Sequence, residues 1–219
     1  MQEDTLYFRQ LLAGRQLATT NPVAGQMANF MYLIGDPSIR EAVIVDPAWD
    51  VHSLIELAER DGYKIVGSLV THYHPDHIGG DLFGTQVEGI VRLLEHAAVP
   101  IYVNKHDSQG VRIVTGVSES DLSKVDDGDT LKVGSVEIKF LHTPGHTPGS
   151  QCFMIGNRLV AGDTLFVQGC GRVDLPGGDS EAMYYSLTQK LAKLPPDTLL
   201  YPGHNYGPQE TSTIAAELE

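Results

Sequence analysis

The chain has 219 residues, of which 42% are hydrophobic and 20% are charged, and its formal net charge at pH 7 is −13. A chain of this length can bury a sizeable core, and we predict a single domain over residues 1–219. Because an acidic surface repels phosphate backbones, and because no stretch reaches the roughly 18 uncharged apolar residues of a membrane span, the composition argues against nucleic-acid and membrane partners.

The first half of the chain alternates between strand and helix patterns. Apolar runs predict strands over 29–34 and 42–46, with a Gly-Asp-Pro turn between them. The spacing of apolar residues predicts helices over 51–62 and 87–98. Between these helices, the apolar run 65–70 has the length of a strand and ends directly before a histidine-rich segment.

The second half is richer in strand patterns. Its predicted elements are strands over 131–133, 136–141, 151–155, 158–160 and 198–201, and a helix over 180–193. This mixed order indicates an α/β protein with sheets covered by helices, rather than a doubly wound parallel sheet. Every histidine-rich motif follows a predicted strand, and loops on a rigid sheet are where ligands are usually mounted.

The densest motif follows the strand 65–70. Within six residues it contains three imidazoles and one carboxylate, namely His72, His74, Asp76 and His77. Neutral imidazole and carboxylate are ligands that suit Zn, Fe and Mn. An extended strand would point these side chains to opposite faces, but Pro75 and the pair Gly79-Gly80 allow the chain to turn around a common centre. These turn residues favour a metal site over a solvated loop that is merely rich in histidine.

Three later segments repeat this pattern. His146 lies between two Pro-Gly pairs, Asp163 follows Gly162 at the end of a strand, and His204 follows a Pro-Gly pair. A lone loop histidine is more often solvated than bound to metal. Together, however, the segments repeat one arrangement, in which a strand ends, the chain turns and a metal-ligating side chain follows.

The motifs HYHPDH, GHT, GDT and PGH, in this order, resemble those of the metallo-β-lactamase superfamily over about residues 29–207. The resemblance implies a four-layer αββα sandwich with the site on loops at one edge. It implies that a first divalent ion binds to His72, His74 and His146. It likewise implies that a second ion binds to Asp76, His77 and His204, and that Asp163 bridges the two. Zinc is the favoured metal, with iron and manganese as alternatives.

Differences from the known branches of the superfamily narrow the choice of branch for this chain. The superfamily's β-lactamases typically lack a histidine at the position of His77, and many have a cysteine at the position of Asp163. Flavodiiron-type members have a glutamate where this chain has His74. The chain is therefore more similar to the broader hydrolase branch, and antibiotic hydrolysis is not expected as its main role.

Hydrolysis is the first hypothesis for the reaction. Two neighbouring cations would lower the pKa of a shared water, so that hydroxide could attack a carbonyl near neutral pH. The segments 162–166 and 169–172 resemble glyoxalase II, which implies a thioester substrate, including a glutathione conjugate, and catalytic roles for Asp76 and Asp163. The acidic segment 210–219 lacks the basic residues with which glyoxalase II binds glutathione. Lactones are a further option, because the same hydroxide can open a ring ester.

Oxidation is the second hypothesis. The segments 8–11, 169–174 and 212–214 resemble persulfide dioxygenases. That resemblance implies a single iron on two histidines and one carboxylate, here His72, His146 and Asp163, with open positions for dioxygen and a thiolate. The segment between the two histidines is longer than in that group. A non-catalytic metal-binding protein is a third reading, and the complete ligand set does not favour it.

Five other side chains are candidates near this centre. Arg172 is predicted to bind a substrate anion, because guanidinium grips a carboxylate in a bidentate manner, although it could equally be a surface arginine. Tyr206 is predicted as a catalytic hydrogen-bond donor to an oxyanion or leaving group, with Tyr73 and Tyr184 as alternatives. Asp46 follows a strand and is either a turn residue or an acceptor for a metal-bound imidazole.

The two cysteines indicate the compartment. Cys152 lies in an apolar run and is predicted to be a packing residue, whereas Cys170 lies between two glycines and is predicted to be exposed on a turn. Two cysteines are too few for a disulfide scaffold, and the N-terminus shows no secretory signal. We therefore expect a reducing cytoplasm. No oligomeric state is predicted.

Overall fold

The structure is a computed structural model that describes residues 6–219. Its strands are β1 (Tyr7–Leu12), β2 (Phe30–Asp36), β3 (Glu41–Val45), β4 (Lys64–Leu69), β5 (Gly80–Leu82), β6 (Thr85–Val87), β7 (Ile101–Asn104), β8 (Leu122–Val125), β9 (Thr130–Val133), β10 (Val136–His142), β11 (Gln151–Ile155), β12 (Arg158–Gly162), β13 (Leu165–Phe166), β14 (Gly169–Cys170), β15 (Leu199–Pro202) and β16 (Ser212–Thr213). Its α-helices are α1 (Pro22–Met27), α2 (Val51–Arg60), α3 (Pro75–Ile78), α4 (Ile90–His96), α5 (Ser108–Thr115), α6 (Ser180–Tyr185) and α7 (Ile214–Glu217).

The long strands form two six-stranded mixed sheets. The first has the order β1-β2-β3-β4-β7-β8, in which β3, β4, β7 and β8 run parallel. The second has the order β16-β15-β12-β11-β10-β9, in which β12 and β15 run parallel and the other pairs are antiparallel. The remaining strands form two small hairpins, β5-β6 and β13-β14.

The alternation of side chains along each strand creates the layers. In β2, Tyr32 packs between the two sheets, whereas Met31 and Leu33 face the helices on the outer side. From the second sheet, Phe140 and Phe153 complete the core between the sheets and meet edge to face at 5.4 Å. A third cluster lies between the outer face of the second sheet and the C-terminal helical segments. The predicted four-layer α/β sandwich is confirmed.

The helix α2 shows how the sequence builds the outer layer. The Asp50 side chain accepts a hydrogen bond from the backbone N–H of Ser53 and thereby caps the first turn. Val51, Leu54, Ile55 and Ala58 then form its buried face, as the spacing predicts.

Two predicted helices differ from the structure. The helix expected over 87–98 begins only at Ile90, because Gly89 is extended and lies so close to α3 that a Cβ there would be 1.8 Å from the carbonyl oxygen of Ile78. The helix expected over 180–193 is continuous but irregular. Its wider turn, 186–190, begins at Ser186, which donates a hydrogen bond to the carbonyl oxygen of Pro144. Within residues 6–219, every helix is too short or too polar to cross a bilayer.

One edge of the sandwich joins the two sheets directly. The N–H of Phe30 at the start of β2 donates to the carbonyl oxygen of Gly203 at 2.7 Å, and Asn29 forms an isolated β-bridge with His204. Because β4, β10, β12 and β15 all end towards this edge, the loops that follow them meet there.

Candidate metal centre

All seven predicted ligands lie on loops or turns at this edge. His72 and His74 lie between β4 and α3, and Asp76 and His77 lie in the single turn of α3. The other three follow strands of the second sheet: His146 after β10, Asp163 after β12 and His204 after β15. Six of the seven are buried, and His74 is partly buried. The structure thus brings the predicted set together from both sheets.

The side chains form three overlapping groups of possible ligands, of which two share no member and the third, His72, His77 and Asp163, links those two. His72, His74 and His146 make the first group, and Asp76, His77 and His204 make the second. Within each group the nearest ligand atoms lie within 4.8 Å of one another. In the first group, His74 Nδ1 is 2.9 Å from His146 Nε2, and in the second, His77 Nε2 is 3.1 Å from His204 Nε2.

Asp163 lies between the two groups. Its Oδ1 is 3.3 Å from His77 Nε2, and its Oδ2 is 3.2 Å from His204 Nε2. The same Oδ2 is 3.5 Å from His146 Nε2 in the first group. One carboxylate therefore reaches both groups, which is the arrangement expected of a bridging ligand.

Two histidines are oriented by backbone carbonyls. His146 Nδ1 is 2.7 Å from the carbonyl oxygen of Arg172, and His204 Nδ1 is 2.6 Å from that of Met27. Since a carbonyl can only accept, each Nδ1 must carry a proton, and in the neutral ring the free lone pair is on Nε2. This is the tautomer that metal binding requires.

Asp46 orients the second group in the same way. Its buried carboxylate accepts hydrogen bonds from the N–H of Thr71 at 2.8 Å, from the Thr71 hydroxyl at 2.6 Å and from His77 Nδ1 at 2.9 Å. Because the hydroxyl donates to Asp46, its oxygen can accept from His72 Nδ1 at 3.0 Å. Of the two roles that the sequence leaves open for Asp46, the geometry favours support of the imidazoles.

Burial keeps the imidazoles of His72 and His74 in the neutral form. Burial and the neighbouring imidazole of His77 hold the pKa of His72 well below its usual value. Burial and the nearby His146 lower the pKa of His74 to about 4. Neutral imidazoles are the form that binds metal ions.

The second group is balanced by carboxylates. Burial alone would lower the pKa of His77, but the charges of Asp76 and Asp163 outweigh it and raise the pKa well above its usual value. Burial would likewise raise the pKa of Asp163, but His204 and His77 hold it well below the usual range. The carboxylates are therefore ionised and able to neutralise cations in this buried edge.

The polar atoms at the centre fit a cation. Within residues 6–219, the buried side-chain atoms without a hydrogen-bond partner include His72 Nε2 and Asp163 Oδ1. Leaving such atoms unpaired in the protein interior is unfavourable, whereas a divalent ion would use both lone pairs. The close approach of ring nitrogens that both point inward has the same explanation. The centre could hold divalent metal, as its donor set of imidazole and carboxylate suggests.

Two further residues at the centre were not predicted. Asn29 donates from Nδ2 to Asp76 Oδ2 at 2.9 Å, and its Oδ1 accepts from the indole N–H of Trp49 at 2.9 Å. The three side chains form a buried chain that fixes the Asp76 carboxylate. The sequence carried no signal for it, because Asn29 looked like the first residue of a strand.

Tyr206 lies at the rim of the second group. Its ring stacks on that of His204, with centroids 4.5 Å apart, and Phe166 meets both rings edge to face. The side chain is 55% exposed. Burial of its inner part and the charges of Asp163 and Asp76 raise the pKa of the phenol, which therefore keeps its proton at neutral pH.

The other candidate substrate contacts lie farther out. The guanidinium of Arg172 is largely exposed and makes a bidentate pair with Asp174 at 2.7 Å, so a substrate anion would have to compete with that carboxylate. The Tyr73 hydroxyl donates to the carbonyl oxygen of Pro176 at 2.8 Å. Tyr184 is exposed on α6. Anion binding by Arg172 stays a prediction.

Known proteins provide an independent comparison. The family model described as the metallo-beta-lactamase superfamily matches residues 24–204. The chain is 33% identical to the mitochondrial persulfide dioxygenase ETHE1 of Homo sapiens over 197 residues, which cover 86% of this chain and 68% of that protein. It is 39% identical to a hydroxyacylglutathione hydrolase of Polaromonas sp. over 182 residues, which cover 81% of this chain and 62% of that protein.

Solved structures show the same similarity. The crystal structure of ETHE1 from Myxococcus xanthus superposes with a TM-score of 0.77 at 31% sequence identity, covering 96% of this chain and 81% of that one. The relatives thus include both a hydrolase and an oxygenase.

Proposed function

The chain belongs to the metallo-β-lactamase superfamily, and its relatives include a hydroxyacylglutathione hydrolase and a persulfide dioxygenase. We propose that it is a hydrolase of thioesters or related esters. We further propose that it works with two divalent ions, with zinc as the favoured metal. The number of ions is argued from the metal centre, and the substrate class from the hydrolase relatives.

The observation that carries the proposal is the completeness of both ligand groups. Each group offers three side chains, and Asp163 reaches both. A single ion on His72, His146 and Asp163 would leave the second group without a role, although that group is buried and supported by Asn29 and Asp46. Divalent ions at such a paired site would lower the pKa of a bound water and polarise the substrate carbonyl.

The chain's own residues supply the rest of the reaction. Asp76 is ionised, because His77 and His204 lower its pKa against the effect of burial, and it can accept a proton from an attacking water. The protonated phenol of Tyr206 stands at the rim, where it can donate a hydrogen bond to the oxyanion or to the departing sulfur or oxygen.

The substrate class follows from the hydrolase relatives. Similarity to the hydroxyacylglutathione hydrolase supports a small thioester, including a glutathione conjugate. The acidic C-terminal segment 210–219 offers no basic residue to a glutathione carboxylate, so other thioesters, esters and lactones belong in the same assay.

Persulfide oxidation is the second candidate, favoured by the similarity to ETHE1 over 86% of the chain. It would use one iron on His72, His146 and Asp163. The two candidates differ in their need for His204, which belongs to the second group alone. His204→Ala should abolish thioester hydrolysis and remove one of two ions, whereas an iron dioxygenase would keep its iron and its oxygen consumption.

The experiment measures metal content and turnover on protein purified without added metal. Two zinc ions per chain and release of thiol from S-acyl glutathione or a simple alkyl thioester would support the proposal. His52→Ala is the matched control, because this histidine is exposed on α2, where it pairs with Glu56. One iron per chain with oxygen consumption on glutathione persulfide would overturn the hydrolase assignment.

A further inference from the structure

We propose that Asp107 is a positioning residue, which ties together the two loops that carry the first group of ligands. It lies at the N-terminus of α5, and its carboxylate accepts hydrogen bonds from Thr147 and Gly149, which are not among the seven ligands. Its effect on the centre therefore passes through the loops. The inference rests on the proposed metal site, since the positions that it fixes are those of His72, His74 and His146.

The contacts to the later loop are short and specific. Asp107 is 1% exposed, and its Oδ2 accepts a hydrogen bond from the hydroxyl of Thr147 at 2.7 Å. Its Oδ1 accepts from the backbone N–H of Gly149 at 2.6 Å. Thr147 directly follows His146, so one carboxylate holds the loop on the C-terminal side of that ligand.

The same carboxylate reaches the earlier loop. The backbone N–H of Tyr73, which lies between His72 and His74, is close enough to this carboxyl to help lower its pKa. Two hydrogen bonds from the later loop and this close approach of the earlier loop thus converge on one side chain. Because hydrogen bonds to a carboxylate are strong and directional, they hold the later loop at a fixed distance from α5, against which Tyr73 of the earlier loop packs.

The backbone of α5 around Asp107 lies in close contact with both loops. A Cβ at Gly149 would lie 2.5 Å from the backbone nitrogen of Asp107 and 2.6 Å from its carboxylate. On the next turn of α5, a Cβ at Gly110 would lie 2.7 Å from the ring of Tyr73. The two glycines allow α5 to approach both loops closely, which brings the carboxylate within reach.

Burial of Asp107 is unfavourable in itself. Burial raises its pKa to about 6, although the hydrogen bonds from Thr147 and Gly149 and the nearby N–H of Tyr73 act in the opposite direction. An apolar residue would fill this space without that cost. A buried carboxylate at this position is explained if its role is to hold the loops in place.

The test compares Asp107→Asn with Asp36→Asn. Asp36 is an equally buried carboxylate that accepts four hydrogen bonds, from Ser38 and Ser135, but it lies at the opposite end of β2. Zinc affinity is measured by competition with a chelator. We expect Asp107→Asn to lower the affinity for one of the two ions by at least about tenfold, as substitutions behind metal ligands commonly do. Asp36→Asn should leave both affinities unchanged.

A substitution pair at Thr147 separates the hydrogen bond from general damage. Thr147→Ser keeps the hydroxyl and should keep the zinc affinity. Thr147→Val should lower the affinity for the same ion that Asp107→Asn affects. The double variant should be no weaker than Asp107→Asn alone, since both changes alter the same contact between Asp107 and Thr147.

A second readout does not depend on metal. In metal-free protein, Asp107→Asn should shift the imidazole ¹H–¹⁵N resonances of His146 and His74, while Asp36→Asn should not. Unchanged resonances and unchanged zinc affinity in Asp107→Asn would overturn the inference. If the wild-type protein binds no divalent ion but the resonances shift, the proposed function fails and the role of Asp107 stands.

Discussion

Replacing Asp46 by asparagine tests the hydrogen bonds that orient the second ligand group. The wild-type carboxylate accepts from Thr71 through both its backbone N–H and its hydroxyl, and from His77 Nδ1. Asparagine has the same shape but only one accepting oxygen. Its NH₂ group must therefore face a donor on one side or the other.

The size of the effect depends on which donor loses its acceptor. A buried donor without an acceptor costs about 1–3 kcal/mol of unfolding free energy. If the NH₂ group faces His77, the imidazole must move its proton to Nε2, the nitrogen that lies 3.4 Å from Asp76 Oδ2 and 3.1 Å from His204 Nε2. That proton would occupy the position of a metal ion. We expect a loss of about 10–100-fold in affinity for the second ion, or about 1.4–2.7 kcal/mol.

The assay is a zinc titration against a competing chelator, together with urea denaturation of the metal-free protein. Asp36→Asn again serves as the control, because it removes a comparable buried acceptor far from the centre. Two zinc ions bound with wild-type affinity in Asp46→Asn would refute the reasoning that Asp46 selects the tautomer of His77.

Three further predictions concern the same edge. Asn29→Ala leaves the indole N–H of Trp49 without its acceptor and should lower the unfolding free energy in urea by about 1–3 kcal/mol. Gly162→Ala places a Cβ 2.6 Å from that of Thr71 and should lower the unfolding free energy by about 1–3 kcal/mol in urea; Gly62→Ala, with a positive φ but open space, should cost less. Chelation should lower the unfolding free energy of protein held in metal at a hundredfold excess over Kd by about 2.7 kcal/mol for each bound ion; an equal melting temperature with and without chelator would contradict the metal site.

The positions of the candidate ligands were readable from the sequence, because each follows an apolar run and a turn signal. His72 follows β4, His146 follows β10, Asp163 follows β12 and His204 follows β15. The strand predictions themselves were confirmed to within about two residues. Apolar alternation and Gly/Pro punctuation are local properties, so local reasoning could find them.

The supporting contacts could not be read in the same way. Asn29 and Asp76 are 47 residues apart, and Asp107 and Thr147 are 40 apart, so their meeting depends on how the two sheets pack. Their side chains are short and polar, and each is equally plausible in a turn. The helix expected over 87–98 failed for a related reason, because the close approach of Gly89 to α3 is a tertiary contact that apolar spacing does not reveal.

The edge at which the two sheets are joined affects how the protein unfolds. The first ligand group combines His72 and His74 from one sheet with His146 from the other, and the second adds His204 across the same joint. Bound ions would thus cross-link the halves of the sandwich at the edge where Phe30 meets Gly203. Neither sheet could then melt without releasing the ions, so the metal-loaded halves would lose their structure in one cooperative transition.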